Sequence, residues 1–341
     1  MKSKNSISVA LATLNGERFL PAQLATIADQ TLLPDELVVV DDGSSDSTID
    51  IIESFQKTAP FSIRIFRNPE RLGYRRNFMR AASLCAGDFI AFCDQDDLWK
   101  NDKFATVMRE FFDPDVLMVY HNADLIDANG RSSGAIFRKR EKSATLHYSE
   151  VEPWRIVPGF TQVIRRSLLD HNDLQQRSID MFELHEEMPH DQWYLFLASV
   201  LGKVRYIASP LASYRLHGDN VSGWLPAKPL AYALHCIAHA NFYVRSSHKA
   251  MLNRIELLQS LRSGLPMRDE HLSRVLDHYT HVTSYVKRRL DLYSERSFMV
   301  RVKLLIRMIR DKTYSDPTVK FGRGSLTLDA LIGASVGRSL R

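Results

Sequence analysis

From Ser6 to about Tyr120, short β-branched or aromatic runs alternate with stretches of helical period: "ISVALAT", 18–29, "ELVVV", 46–57, "SIRIF", 74–85 and "FIAFC". This alternation predicts βαβ units and a mostly parallel sheet flanked by helices. Such sheets bind ligands at the carboxyl ends of their strands. There the sequence sets Asn15, Asp41, Asp42, Asp94, Asp96 and Asp97, along one rim.

Beyond "VLMVYHNADLID" the pattern is mixed: a polar loop over 129–149, then "PGFTQVIRRSLL", an aromatic helix opened by "HDQWYLFLASVLG", a strand-like "KVRYIA" and "LASYRLHGDNVSG". Pro226 and Pro229 mark a boundary, after which helical signals dominate to about Lys312. The expected organisation is therefore an α/β domain over 1–225 and a helical region over 226–341. In the last long helix Phe298, Val302, Leu305, Ile306 and Ile309 form one stripe and Arg296, Lys303, Arg307 and Arg310 another. Such a helix either covers a core with a solvated basic face or lies on an anionic membrane.

Composition narrows the class without naming a chemistry. At 45% hydrophobic and 25% charged residues over 341 positions, the chain has the balance of a globular enzyme or binding protein. A net charge of +5 is small for this length, which argues against a dedicated nucleic-acid binder. Cys85, Cys93 and Cys236 have no metal-ligand spacing and predict reduced thiols in a cytosolic chain. The apolar run after Lys2 and Lys4 is short and reads as a first strand rather than a signal peptide, and no run is long enough to span a bilayer.

Adjacent acids at a strand end repel unless a cation or hydrogen-bond donors compensate them, and a divalent metal does this most directly. In "DQDD", Asp94 and Asp96 share a face if the strand continues, while Asp97 swings round at the turn. The plainer alternative is that Asp96 or Asp97 caps a helix in "LWKNDKF", and that Ser45 or Asp46 caps the one after "DDGSSDST". "NPERLGYRRNF" adds a glycine turn before a helix opening on Arg75, Arg76 and Asn77, suited to a nucleotide's phosphates or ribose, or else simply a solvated charged face.

These segments resemble the family 2 glycosyltransferases, which have the nucleotide-sugar-binding fold called GT-A. The resemblance rests on "SVALATLNGERFLPAQLATIADQT", "ELVVVDDGSSDST", "NPERLGYRRNF", "GDFIAFCDQDDLW", "PGFTQVIRRSLL", "HDQWY" and "YRLHGDNVSG", in the family's order over about residues 6–223. It implies that Asp42 hydrogen-bonds the donor's pyrimidine with Asp41 supporting the same pocket. It also implies that Ala12, Thr13 and Asn15 contact the base through backbone, and that Arg76, Asn77, Asp94 and Gln95 line the donor site. Asp94, Asp96 and Asp97 cover the metal-binding acidic motif, for Mg²⁺ or Mn²⁺, with His217 a third ligand or a diphosphate contact. Asp191 resembles the catalytic base; its plain alternative is an N-cap, and Glu186 and Glu187 are neighbouring acids. Leu14 departs from the aromatic residue many relatives carry, which removes a stacking contact from that position.

The expected activity is inverting, metal-dependent transfer of a sugar from dTDP-rhamnose or a UDP-hexose to a hydroxyl of a glycan or lipid-linked glycan. The setting is bacterial surface-polysaccharide synthesis, at the inner face of the cytoplasmic membrane. A non-catalytic nucleotide-sugar or carbohydrate-binding protein is the alternative. A sugar nucleotidyltransferase needs a glycine-rich loop that "LATLNGERFLP" lacks, and a phosphoaspartyl phosphatase needs its nucleophile on the first strand.

Overall fold

The computed structural model describes residues 5–137, 142–171, 177–218, 239–260, 269–316, 319, 325–327, 329 and 330. Cys236 and the boundary expected at 225/226 lie outside them. The chain divides into two compact units. The first comprises 1–148, 156–176 and 189–220; the second takes the remainder, including the short segments 149–155 and 177–188.

The first unit is built on a ten-stranded sheet. In chain order the strands are β1 (Ile7–Thr13), β2 (Glu36–Asp41), β3 (Ser62–Arg67), β4 (Phe89–Cys93), β5 (Leu98–Trp99), β6 (Val116–Asp127), β7 (Ser132–Ala135), β8 (Ala144–Leu146), β9 (Gln162–Arg165) and β10 (Lys203–Leu216). The main path runs β3-β2-β1-β4-β9-β6-β10-β5. The β1–β2, β1–β4, β2–β3 and β6–β10 pairs are parallel, whereas β9 runs antiparallel to both β4 and β6. The helices are α1 (Leu20–Ala28), α2 (Thr48–Gln56), α3 (Tyr74–Leu84), α4 (Lys103–Glu110) and α5 (His190–Leu201).

Covered parallel strands have no solvent face, so they read as continuous apolar runs instead of alternating ones. β2 is buried at all six positions and β4 at all five. At the edge of the sheet β3 has one buried residue in six, Ile63, as an outermost strand should. Cys85 and Cys93 are free and buried, and burial pushes the Cys85 thiol up to about 12.

The helix suggested by "LWKNDKF" does not start at the acids. Leu98 and Trp99 form β5 against Ala212 and Ser213 of β10, and α4 begins only at Lys103. The apolar pair is drawn to the sheet, which delays the helix and frees the acids from capping it. In the second unit the described helices are α6 (Ala240–Ser260), α7 (Asp269–Ser294) and α8 (Phe298–Arg310). Among the described residues no helix is long and apolar enough to cross a membrane.

Candidate active site

The loops after β1, β2 and β4 are tied together by side chains reaching backbone groups. Leu14 N donates to Gln95 Oε1 (2.9 Å), and Gln95 Nε2 donates back to Leu14 O (3.0 Å). Asn15 takes a left-handed conformation, φ 50°, that asparagine tolerates better than most residues. Its amide N donates to Ser44 Oγ (2.9 Å), and its Oδ1 accepts from Ser45 N (2.9 Å). Three loops thus form one rim.

Asp41 and Asp42 divide their labour. Asp41 Oδ1 accepts from Thr13 Oγ1 (3.0 Å) and Ser44 Oγ, while Oδ2 accepts from Gly43 N (3.2 Å) and Ser44 N (2.9 Å). A carboxylate offers about four lone-pair sites, so Asp41 is fully engaged in shaping the rim. Asp42 Oδ1 accepts from Asn68 Nδ2 (2.7 Å) and Leu72 N (2.7 Å), and Oδ2 from Gly73 N (2.8 Å). One acceptor site on Asp42 Oδ2 is left by this count. The anion seated at the entrance to α3 is therefore the protein's own carboxylate. Asn77, expected beside a ligand, is buried; its Nδ2 donates to Val40 O (2.9 Å) and its Oδ1 accepts from Asn68 Nδ2 (2.8 Å). Arg76 is exposed on the first turn of α3, and Ala12 is half-buried at the end of β1.

The second cluster centres on the loop after β4. Asp94 is half-buried, and burial together with the Asp96 and Asp191 carboxylates pushes it up to about 8, against the pull of Lys103. Asp97 is fully buried: Oδ1 accepts from Arg215 N (3.1 Å), and Oδ2 has no hydrogen-bond partner among the described residues. Its carboxyl is raised by burial, Asp96 and Asp94. Asp96 Oδ2 lies 2.8 Å from His217 Nε2, and the imidazole packs 4.8 Å from the Phe19 ring. Arg215 stands over the same ring and donates from Nε to Asp96 O (2.9 Å).

Asp191 sits at the second position of α5, whose N-cap is Pro189, so it is not the cap. Its Oδ1 accepts from Gln192 N (2.8 Å), and its field reaches Asp94. The preceding His190 stacks on Phe78, centroids 4.0 Å apart, and lies 4.7 Å from Phe92. A Cβ on Gly159 would run into its imidazole, so "PGFTQ" and "HDQWY" fit together through the missing side chain.

A contrast within the first unit separates structural acids from candidate reactive ones. Glu36, at the amino end of β2, is raised by burial, yet hydrogen bonds from Ser8, Ala86 N and Arg64 bring it below the usual carboxylate range. Asp94 and Asp97 move the opposite way because burial raises them and the neighbouring acids add to it instead of offsetting it. Crowded acids with raised proton affinity fit a hard divalent cation and its oxygen ligands. The buried Asp97 Oδ2 without a donor points the same way. Among the described residues no three His, Cys, Asp or Glu side chains are close enough to hold an ion as they stand, and Asp96 is turned to His217.

Sequence reasoning missed Lys103. It is fully buried, donates to Phe160 O (2.7 Å), and lies 3.5 Å above the Trp99 ring. Burial lowers it to about 7 against the fields of Cys93, Asp97 and Asp94. No signal in the sequence marks it, because Trp99 ends β5 and Lys103 opens α4, and only the fold brings the ammonium over the ring. Arg215, which holds the acid loop through two of its atoms, was likewise not singled out.

Residues 8–172 match Glycosyl transferase family 2. The chain is 29% identical over 219 residues to an uncharacterized glycosyltransferase of Nostoc sp., covering 63% of this chain and 66% of that one. It is 27% identical over 226 residues to a dTDP-rhamnosyl transferase of Shigella flexneri, covering 62% and 73%. The matched stretch thus spans about two thirds of these relatives. Among solved structures, S. aureus TarS in complex with UDP superposes with a TM-score of 0.56 at 15% identity, over 96% of this chain and 88% of that one. A mannosyltransferase from Pyrobaculum calidifontis, in complex with GDP-Man and Mn²⁺, gives 0.50 at 18% identity, over 98% and 87%. These likenesses show the GT-A fold.

Proposed function

We propose, for a chain that carries a family 2 glycosyl transferase domain over residues 8–172, that it moves a sugar from a nucleotide donor to an acceptor hydroxyl with inversion. The observation that carries the reading is the family match combined with the placement of its acids: Asp94, Asp96 and Asp97 follow β4, and Asp191 stands on the first turn of α5, where its field bears on Asp94. Donor and acceptor chemistry need two such groups at one point, one set for the leaving diphosphate and one for the attacking hydroxyl.

In this reading the rim of Ala12, Thr13, Asn15 and Asp42 receives the base, held in shape by Asp41 and Gln95. Asp94, Asp96 and Asp97 would hold Mg²⁺ or Mn²⁺, with His217 beside them; the mannosyltransferase neighbour is described with Mn²⁺. A bound ion would neutralise charge on the departing diphosphate, worth several kcal/mol against about 0.3–1 for a helix dipole. Asp191 takes the acceptor's proton as its oxygen bonds the anomeric carbon and the bond to the diphosphate breaks. One displacement completes the exchange, so no covalent sugar intermediate on the protein is required.

The rhamnosyl transferase relative makes dTDP-rhamnose the first donor to try and a UDP-hexose the second. A glycan or lipid-linked glycan is the acceptor class, in surface-polysaccharide synthesis at the inner membrane face. The deciding experiment is a panel of nucleotide sugars scored for diphosphate release with Mn²⁺, with Mg²⁺ and with chelator. Binding without release from any donor and acceptor would favour a nucleotide-sugar-binding protein instead.

A further inference from the structure

α8 begins at a capped end, where Ser297 Oγ accepts from Val300 N (3.5 Å). One side of the helix is secured to its own unit. Arg301 and Met308 are buried, with Arg301 Nη1 donating to Glu295 O (3.2 Å) and Arg296 O (2.9 Å), and Met308 O accepting from Thr313 N (2.9 Å).

The other side is neither buried nor polar. Phe298, Met299, Ile306 and Ile309 are 55%, 62%, 59% and 51% exposed. At about 100° per residue these four share an arc of about 100°, and Arg310, Lys303 and Arg307 occupy the next 60° or so. Arg307 and Arg310 are 71% and 77% exposed at their side chains. Of the stripe expected from the sequence, Phe298, Ile306 and Ile309 are turned outward with Met299 beside them, while Val302 and Leu305 are half-buried. Scattered apolar residues on a surface need no explanation, but a contiguous arc beside a basic row does.

We propose that this arc of α8 docks on an anionic lipid surface, with Phe298, Met299, Ile306 and Ile309 entering the acyl boundary and Lys303, Arg307 and Arg310 at the headgroup phosphates. The occupant is chosen by charge. The only acid paired with this row among the described residues is Asp311, 3.5 Å from Arg307 and 3.6 Å from Arg310, and such exposed pairs are weak. A second copy of the chain would bring the same basic row to an isologous contact and gather like charges. An anionic bilayer supplies both an apolar layer and a negative one, in the order the arc presents them. This assigns the membrane contact to named side chains, and it rests on α8 alone, independently of sugar transfer.

The test is co-sedimentation of the full chain with phosphatidylcholine vesicles, with and without phosphatidylglycerol. The wild type should bind only the anionic vesicles, and salt should release it. Lys303→Glu, Arg307→Glu and Arg310→Glu combined should weaken binding by about 100-fold or more. Phe298→Ser, Met299→Ser, Ile306→Ser and Ile309→Ser combined should weaken it by at least about tenfold. All seven positions lie off the buried face, so thermal melting checks that the fold persists. Absent or salt-insensitive binding by the wild type, or equal binding by the charge-reversed chain, overturns the proposal. So does a wild-type dimer, seen by light scattering, that the serine variant converts to monomer without loss of vesicle binding.

Discussion

His217 Nε2 lies 2.8 Å from Asp96 Oδ2, joining the residue after β10 to the acid loop 121 positions earlier. Because Asp96 stands on a rim instead of in the core, removing its charge should spare the fold. Asp96→Asn is expected to weaken Mn²⁺-dependent binding of a nucleoside diphosphate by at least about 10–100-fold, and His217→Ala by a similar factor. Calorimetric titration with and without Mn²⁺ reads both, and unchanged metal-dependent binding in the two variants removes the assignment.

Asp191→Asn keeps the shape of the side chain and an acceptor oxygen for Gln192 N, but cannot take up a proton. Turnover should fall by roughly 10²–10⁴ while donor affinity and melting temperature stay near wild type. Near-normal transfer would eliminate Asp191 as the base and turn attention to Glu186 and Glu187.

Gly159→Ala drives a methyl into the His190 imidazole, which the Phe78 and Phe92 rings confine. Overpacking of this kind typically destabilises by about 1–3 kcal/mol. Urea unfolding checks it, and a variant as stable as wild type would mean that His190 is free to shift.

The raised Asp94 predicts a pH dependence with a definite sign. Its ordinary value is 3.8 and its folded value about 8, so between them the folded chain holds a proton that the unfolded chain has lost. Stability of the ion-free protein should therefore fall as pH rises through that window. Asp94→Asn should flatten that part of the melting profile, and Mn²⁺ should raise the wild-type melting temperature most at the alkaline end. Identical wild-type and variant profiles would show that Asp94 titrates normally.

The βαβ half of the fold was legible because its strands are covered on both faces, and an unbroken "LVVV" or "FIAF" has few other uses. The rim was legible for a similar reason, since acids at the ends of such strands stand out. Their division of labour followed from the family resemblance and not from the residues themselves. Asp41 and Asp42 differ through donors such as Gly43 N, Leu72 N and Gly73 N, and backbone amides carry no letter in a sequence. Nor does a sequence show that Leu98 and Trp99 join β10, which moves the following helix away from the acids. Lys103 was passed over because a lysine in a polar run is ordinarily solvated; only the fold places it above Trp99. The basic and apolar stripes at the last helix were visible, but not that the face α8 buries carries Arg301 and Met308, members of neither.

With an ion at the acid loop and a base at the rim, as proposed above, the reciprocal pair between Gln95 and the Leu14 backbone would couple the two binding events. A ligand that steadies the acid loop also steadies the strand end where a base would rest, and the two affinities are then linked by thermodynamic necessity. Whatever factor an ion adds to nucleotide affinity, the nucleotide adds to the affinity for the ion. Were that coupling favourable, the chain would prefer the complete metal–nucleotide pair over either component alone and would release both more readily once one had gone.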